Sequence, residues 1–209
     1  ITSEKATLTV TPKLTITAQP VAATVCEDET ATFTVAATGA GISYQWQTNN
    51  GGAAWTNIAG STGTTLTVPA AAAQDGFKYR AVITGTCGTL NSAEATLTVI
   101  PKLVITAQPI SATICEGETK TFAVAATGEN ITYQWQTNAG GATFTDIAGA
   151  NAATLTVPAS LTNNGYKYRV VIISTCGTLT SEKVTLTVTP KLTITAQPVA
   201  ATVCEDETA

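Results

Sequence analysis

Along residues 30–48, TATFTVAATGAGISYQWQT, apolar residues alternate with Thr, Ser or Gln. That two-residue period belongs to a strand with one face in a core and the other in water. Similar short runs, bounded by Gly, Pro and Asn, predict strands at 14–18, 22–26, 30–37, 42–48, 54–58, 64–68, 77–85 and 90–100. Phe33, Val35 and Ala37 then share a face, as do Ile42, Tyr44 and Trp46, Leu66 and Val68, and Leu97 and Val99. Helical spacing is nowhere sustained. About seven strands at this spacing predict an all-β fold of two packed sheets.

The pattern occurs twice. An offset of 89 residues aligns Lys13 with Lys102 and Lys191, and Cys26 with Cys115 and Cys204, with no insertion or deletion. More than half of the positions in 13–101 and 102–190 are then identical, including Trp46 with Trp135, Tyr79 with Tyr168 and Cys87 with Cys176. A fixed period marks tandem units. Residues 1–12, ITSEKATLTVTP, match 179–190, LTSEKVTLTVTP, and 191–209 repeat 13–31 letter for letter. The expected organisation is a last strand of a preceding unit at 1–12, whole units at 13–101 and 102–190, and the first strands of a third at 191–209. With no Met and no start signal, the chain reads as a window on a longer array.

Composition narrows the function. The net charge of −4 and the lack of a basic stripe leave nothing to neutralise nucleic-acid phosphates. No run approaches the roughly 20 apolar residues that a membrane crossing needs, so no membrane insertion is expected. There is no His to act as a base and no Ser in a nucleophile elbow, so no catalytic residue, enzyme activity or cofactor is expected. Metal ligation is not expected either, since there is no His and no close Cys pair.

GISYQWQ followed by AQDGFKYRAVITGTCG resembles the strand C tryptophan and strand F tyrosine of immunoglobulin-like domains. The whole unit is similar to the Ig-like repeats of very large bacterial surface proteins of the adhesin or filament type, commonly exported by the type IX route. The resemblance implies tandem Ig-like sandwiches arranged as a head-to-tail rod, with Trp46, Trp135, Tyr79 and Tyr168 in the cores. It also implies an extracellular, cell-surface setting. The chain departs from the pattern in its cysteines: the usual strand B and strand F positions hold Val35 and Ala81, or Val124 and Val170.

Cys26 instead precedes the EDET turn and Cys87 lies in the TGTCGT hairpin. With strands B and F running the same way at ~3.3 Å per residue, the two fall about 35 Å apart. A disulfide needs Cα atoms within about 7 Å. In a head-to-tail array the first turn of one unit faces the hairpin of the next, so the preferred pairing is Cys26 with Cys176. Cys87, Cys115 and Cys204 then pair with units outside the window. The plainer scheme is Cys26 with Cys87 and Cys115 with Cys176. Either implies an oxidising compartment.

Other residues carry weaker signals. Glu27, Asp28, Glu29, Glu116 and Glu118 could offer carboxylates to Ca²⁺ but read first as solvated turns. Asn130 opens an N-I-T triplet in a loop. Trp55 and Phe144 are possible ligand contacts for a sugar, or else cover a sandwich edge. Gln45, Gln47, Lys78 and Arg80 should form the polar outer stripe of a sheet. The junction TLTVIPKLVITAQP has no Gly or Ser and a restricting Pro, unlike a flexible linker. The expected function is a stiff structural spacer of an adhesin stalk or filament, whose partners are neighbouring repeats and, through Thr-rich faces, laterally packed copies. The alternative is a carbohydrate- or protein-binding module of a secreted multidomain protein.

Overall fold

The structure, a computed structural model, describes residues 3–52 and 54–205. In the first repeat the alternating runs become β1 (Thr15–Ala18), β2 (Ala23–Cys26), β3 (Thr30–Thr34), β4 (Ala36–Thr38), β5 (Ser43–Asn49), β6 (Thr56–Asn57), β7 (Thr65–Pro69), β8 (Lys78–Gly85), β9 (Gly88–Asn91) and β10 (Ala95–Ile100). One face of the sandwich is the sheet β2-β10-β8-β5-β6, with β9 also on β8; the other is made of the pairs β1-β4 and β3-β7. β2 runs parallel to β10, Leu97 opposite Ala23 and Ile100 opposite Cys26. β5 runs antiparallel to β8, with Trp46 opposite Ala81.

The second repeat has the same plan: β11 (Val104–Ala107), β12 (Ala112–Cys115), β13 (Thr119–Ala123), β14 (Ala125–Thr127), β15 (Thr132–Thr137), β16 (Thr145–Asp146), β17 (Thr154–Pro158), β18 (Lys167–Ser174), β19 (Gly177–Thr180) and β20 (Val184–Thr189). Its larger sheet is β12-β20-β18-β15-β16, faced by β11-β14 and β13-β17. By spatial contact the described residues divide into two compact units. One gathers those within 3–104 with 126–131 and 173–179; the other holds 105–125, 132–172 and 180–205.

Alternation places the core. Phe33, Val35, Trp46, Leu66, Val68, Tyr79, Ala81, Ile83, Leu97 and Val99 are buried, while Ile42, Tyr44 and Ala37 are partly buried against them. Phe33 stacks on Tyr79 at 4.9 Å between ring centroids. Trp46 and Trp135 are fully buried, and each indole N–H donates to a backbone carbonyl at 3.0 Å, that of Gly63 or Ala152. Burying so large a ring is stable only if its one donor is satisfied. Val35 with Ala81, and Val124 with Val170, are all buried, so aliphatic packing occupies the places of the usual cysteine pin.

Within the first repeat, three expected strands differ. The run 30–37 splits at Val35, whose N–H donates to Thr64 O rather than extending the β3-β7 ladder. The strand expected at 54–58 shortens to Thr56–Asn57. The strand expected at 90–100 breaks between Asn91 and Ala95. The cause is Ser92, which is buried and exchanges bonds with Ala81 across the break: its N–H donates to Ala81 O, and its Oγ accepts from Ala81 N–H. A strand cannot continue straight through a serine turned inward to serve its neighbour's backbone.

Candidate functional site

The most chemically distinctive features are the cysteines. β2 ends at Cys26 and a tight turn follows, in which Glu29 Oε2 accepts from Cys26 N–H at 3.2 Å and Glu29 N–H donates to Cys26 O. Asp28 takes a positive φ of 71° there. Its N–H donates to Ala70 O, and its carboxylate receives Lys102 Nζ at 2.6 Å, which raises the Lys102 pKa. Glu27 N–H donates to Ile100 O at 2.8 Å. The turn is thus tied to the end of its own sheet.

Cys176 sits in the β18–β19 hairpin, within the same compact unit as Cys26. The two form a disulfide with Cα atoms 5.7 Å apart, joining residues 150 positions apart in sequence. In the same unit Leu103 is 8% exposed and packs closely on Gly128, where an added Cβ would lie 3.3 Å from the leucine side chain. Among the described residues Cys87, Cys115 and Cys204 are free and exposed. The plainer scheme of Cys26 with Cys87 and Cys115 with Cys176 does not form.

The outer face of the larger sheet carries a repeated polar ladder. Arg80 Nε donates to Gln47 Oε1, and Gln47 Nε2 donates to Asn57 Oδ1. In the second repeat Arg169 donates to Gln136 and Gln136 to Asp146. The Arg80 guanidinium lies 4.3 Å from the Trp55 ring centroid and that of Arg169 4.2 Å from Phe144. Each half-buried ring therefore has one face occupied by its own arginine, a cation–π contact that leaves less surface for a sugar. Gln45 points instead to the backbone, donating to Trp46 O and Ile58 O. Lys78 pairs with Glu94 at 2.9 Å.

The acidic turns are capped rather than convergent: Glu118 accepts from Cys115 N–H as Glu29 does from Cys26. Among the described residues no three His, Cys, Asp or Glu side chains gather as a metal site. Asn130, at φ 55°, donates to Thr175 Oγ1 across the loop pair.

An apolar cleft recurs in each repeat. In the first it has a volume near 250 Å³ and is lined by Ile58, Leu66, Val68, Phe77, Tyr79 and Thr48. In the second the volume is near 270 Å³, with Thr137 and Tyr168 in the equivalent places. Burial pushes the Tyr79 phenol up, opposed by the adjacent Thr48 hydroxyl; neither oxygen reaches a partner at hydrogen-bonding geometry. Burial likewise raises Tyr168. Sequence reasoning missed this pairing, as it missed Ser92, because both depend on which strands become neighbours. Among the described residues no helix is long and apolar enough to cross a membrane.

A family described as a domain of unknown function, DUF8696, matches residues 14–101 and 106–190. Endoglucanase C of Cellulomonas fimi is 39% identical over 176 residues, covering 83% of this chain; the chain spans 16% of that protein's length. An I-band fragment from titin superposes with a TM-score of 0.61 at 18% identity, covering 88% of this chain and 67% of that one. Domains 3–5 of the extracellular part of Drosophila OTK give 0.60 at 19% identity, covering 86% and 63%. These two likenesses establish tandem Ig-like sandwiches as the fold, and a fold does not carry a function with it.

Proposed function

The chain belongs to this family, the domain of unknown function DUF8696, in two consecutive copies, and on that premise we propose that the repeats are a stiff extracellular spacer in a large surface protein of the adhesin type. The observation that carries this reading is the Cys26–Cys176 disulfide. It ties the first turn of one repeat to the hairpin of the next, in a chain whose junction contains Pro101 and no Gly or Ser. Such a bond persists in an oxidising compartment. It resists extension, because pulling on the chain cannot lengthen the 150-residue span it closes.

Single-molecule extension tests this. Reducing the disulfide releases about 500 Å of further contour at ~3.4 Å per residue, whereas an oxidised chain stops short by that amount. Equal final extension with and without reductant removes the basis of the spacer reading.

The identity to a stretch of endoglucanase C favours a second reading, in which the repeats are glycan-binding modules of a secreted multidomain protein. Trp55 and Phe144 are the aromatics available for it. Retention of the protein on cellulose or other insoluble glucans, abolished in W55A/F144A, would establish this reading over the spacer. Equal lack of retention by both proteins supports the spacer.

A further inference from the structure

The free cysteines Cys87 and Cys115 are held by the same scaffolding as their bonded counterparts. Cys176 Sγ lies 3.8 Å from Ile100 O and Cys87 Sγ lies 3.8 Å from Thr11 O, both across 76 residues of sequence. The residue before each is anchored alike, Thr86 N–H on Ala40 O at 2.9 Å and Thr175 N–H on Glu129 O at 3.0 Å. At the other half of the joint, Cys115 N–H donates to Glu118 Oε2 at 3.0 Å where Cys26 N–H donates to Glu29 Oε2 at 3.2 Å. Glu116 N–H meets Thr189 O at 2.9 Å as Glu27 N–H meets Ile100 O at 2.8 Å. A hairpin thiol and a first-turn thiol are therefore each presented as in the pair already bonded.

We propose that Cys87 and Cys115 are the two complementary halves of a covalent joint between repeats: Cys87 takes the first-turn cysteine, and Cys115 the hairpin cysteine, of another copy of this repeat. The proposal rests on the spacer reading and extends it from one bonded pair to a head-to-tail series. The joint is directional, because a hairpin half fits a turn half and not another hairpin. Its chemistry is thiol–disulfide exchange with a low-molecular-weight disulfide. The Cys87 thiolate attacks that disulfide and one small thiol leaves. The Cys115 thiolate of the partner then attacks the mixed disulfide and a second small thiol leaves. One small disulfide is reduced as one protein disulfide forms.

The test incubates the whole chain, with Cys26–Cys176 intact, in a glutathione redox buffer and maps the inter-copy cross-links by mass spectrometry of unreduced peptides. The C204S variant is run beside it, so that Cys87 and Cys115 are its only free thiols. The expected product is the mixed Cys87–Cys115 link, at least about tenfold over the symmetric Cys87–Cys87 and Cys115–Cys115 links, and lost in both C87S and C115S. Symmetric links at comparable yield, or both thiols ending as glutathione adducts, overturn the proposal. Either failure leaves the extension experiment standing, since that experiment reads only the Cys26–Cys176 bond.

Discussion

Asp28 and Gly117 hold the same place in the two repeats, with φ of 71° and 88°. A β-carbon in this region costs about 1–2 kcal/mol, and Asp is among the residues that tolerate it through local bonding. Nothing lies within 4 Å of a Cβ built on Gly117, so the cost of adding one is purely conformational. G117A is expected to lower stability by about 1 kcal/mol in urea denaturation. D28G should leave the urea midpoint close to the parent's, the loss of an exposed ion pair with Lys102 being small. Tyr79 tests burial. Its folded pKa is raised above 10.0, chiefly by desolvation, so its stabilisation is complete below pH 10 and lost as pH climbs through the higher folded value. Y79F should lessen that alkaline decline, Tyr168 keeping its own share, while stability near pH 7 is unchanged or slightly higher, because the buried hydroxyl it removes has no partner. A decline as steep in Y79F as in the parent would sink this account.

At the scale of elements, the break between β9 and β10 is the feature most sensitive to a single atom. Ser92 Oγ accepts from the buried Ala81 N–H and donates to Ala93 O; Ser181 does the same for Val170 and Glu182. S92A leaves a backbone N–H buried and unpaired, which costs about 1–3 kcal/mol. Chemical denaturation of S92A and S181A should show similar losses in the two repeats. A similar logic serves the later part of β10 and of β20: Asp75 Oδ1 accepts from Val99 N–H and Asn164 Oδ1 from Val188 N–H, each at 2.9 Å. A carboxylate and an amide thus do one job in the two copies, because only the acceptor oxygen is used.

For the whole molecule, the disulfide changes what a cut or a mutation can do. C26S is expected to lower stability by about 2–4 kcal/mol, read as a shift of the oxidised protein's urea midpoint toward that of the reduced one. Proteolytic cleavage after Lys102, which lies between Cys26 and Cys176, should leave one band on a non-reducing gel and two after reduction. Two bands without reductant would mean that the bond is not formed in the native protein. Trp55 and Phe144 also lie within the span that the bond closes, so the same two-gel comparison applies to cuts in their loops.

The repeat, the all-β class and most of the core were legible in the residues alone, because a two-residue alternation of apolar and polar side chains allows one burial solution per strand: Trp46, Tyr79, Leu97 and their copies could face only inward. Counting residues along the strands favoured Cys26 with Cys176 over Cys26 with Cys87 but left both open, and the bond was settled by the structure. Where strands stop was set by contacts between distant segments. Ser92, Val35 and the shortened β6 depend on backbone partners far along the chain, and a side chain's appetite for a distant N–H leaves no mark on local periodicity. The structure alone likewise set Arg80 over Trp55, Arg169 over Phe144, and Thr48 beside Tyr79, contacts fixed by cross-strand register. Register arises when whole sheets pack, not within any stretch of sequence.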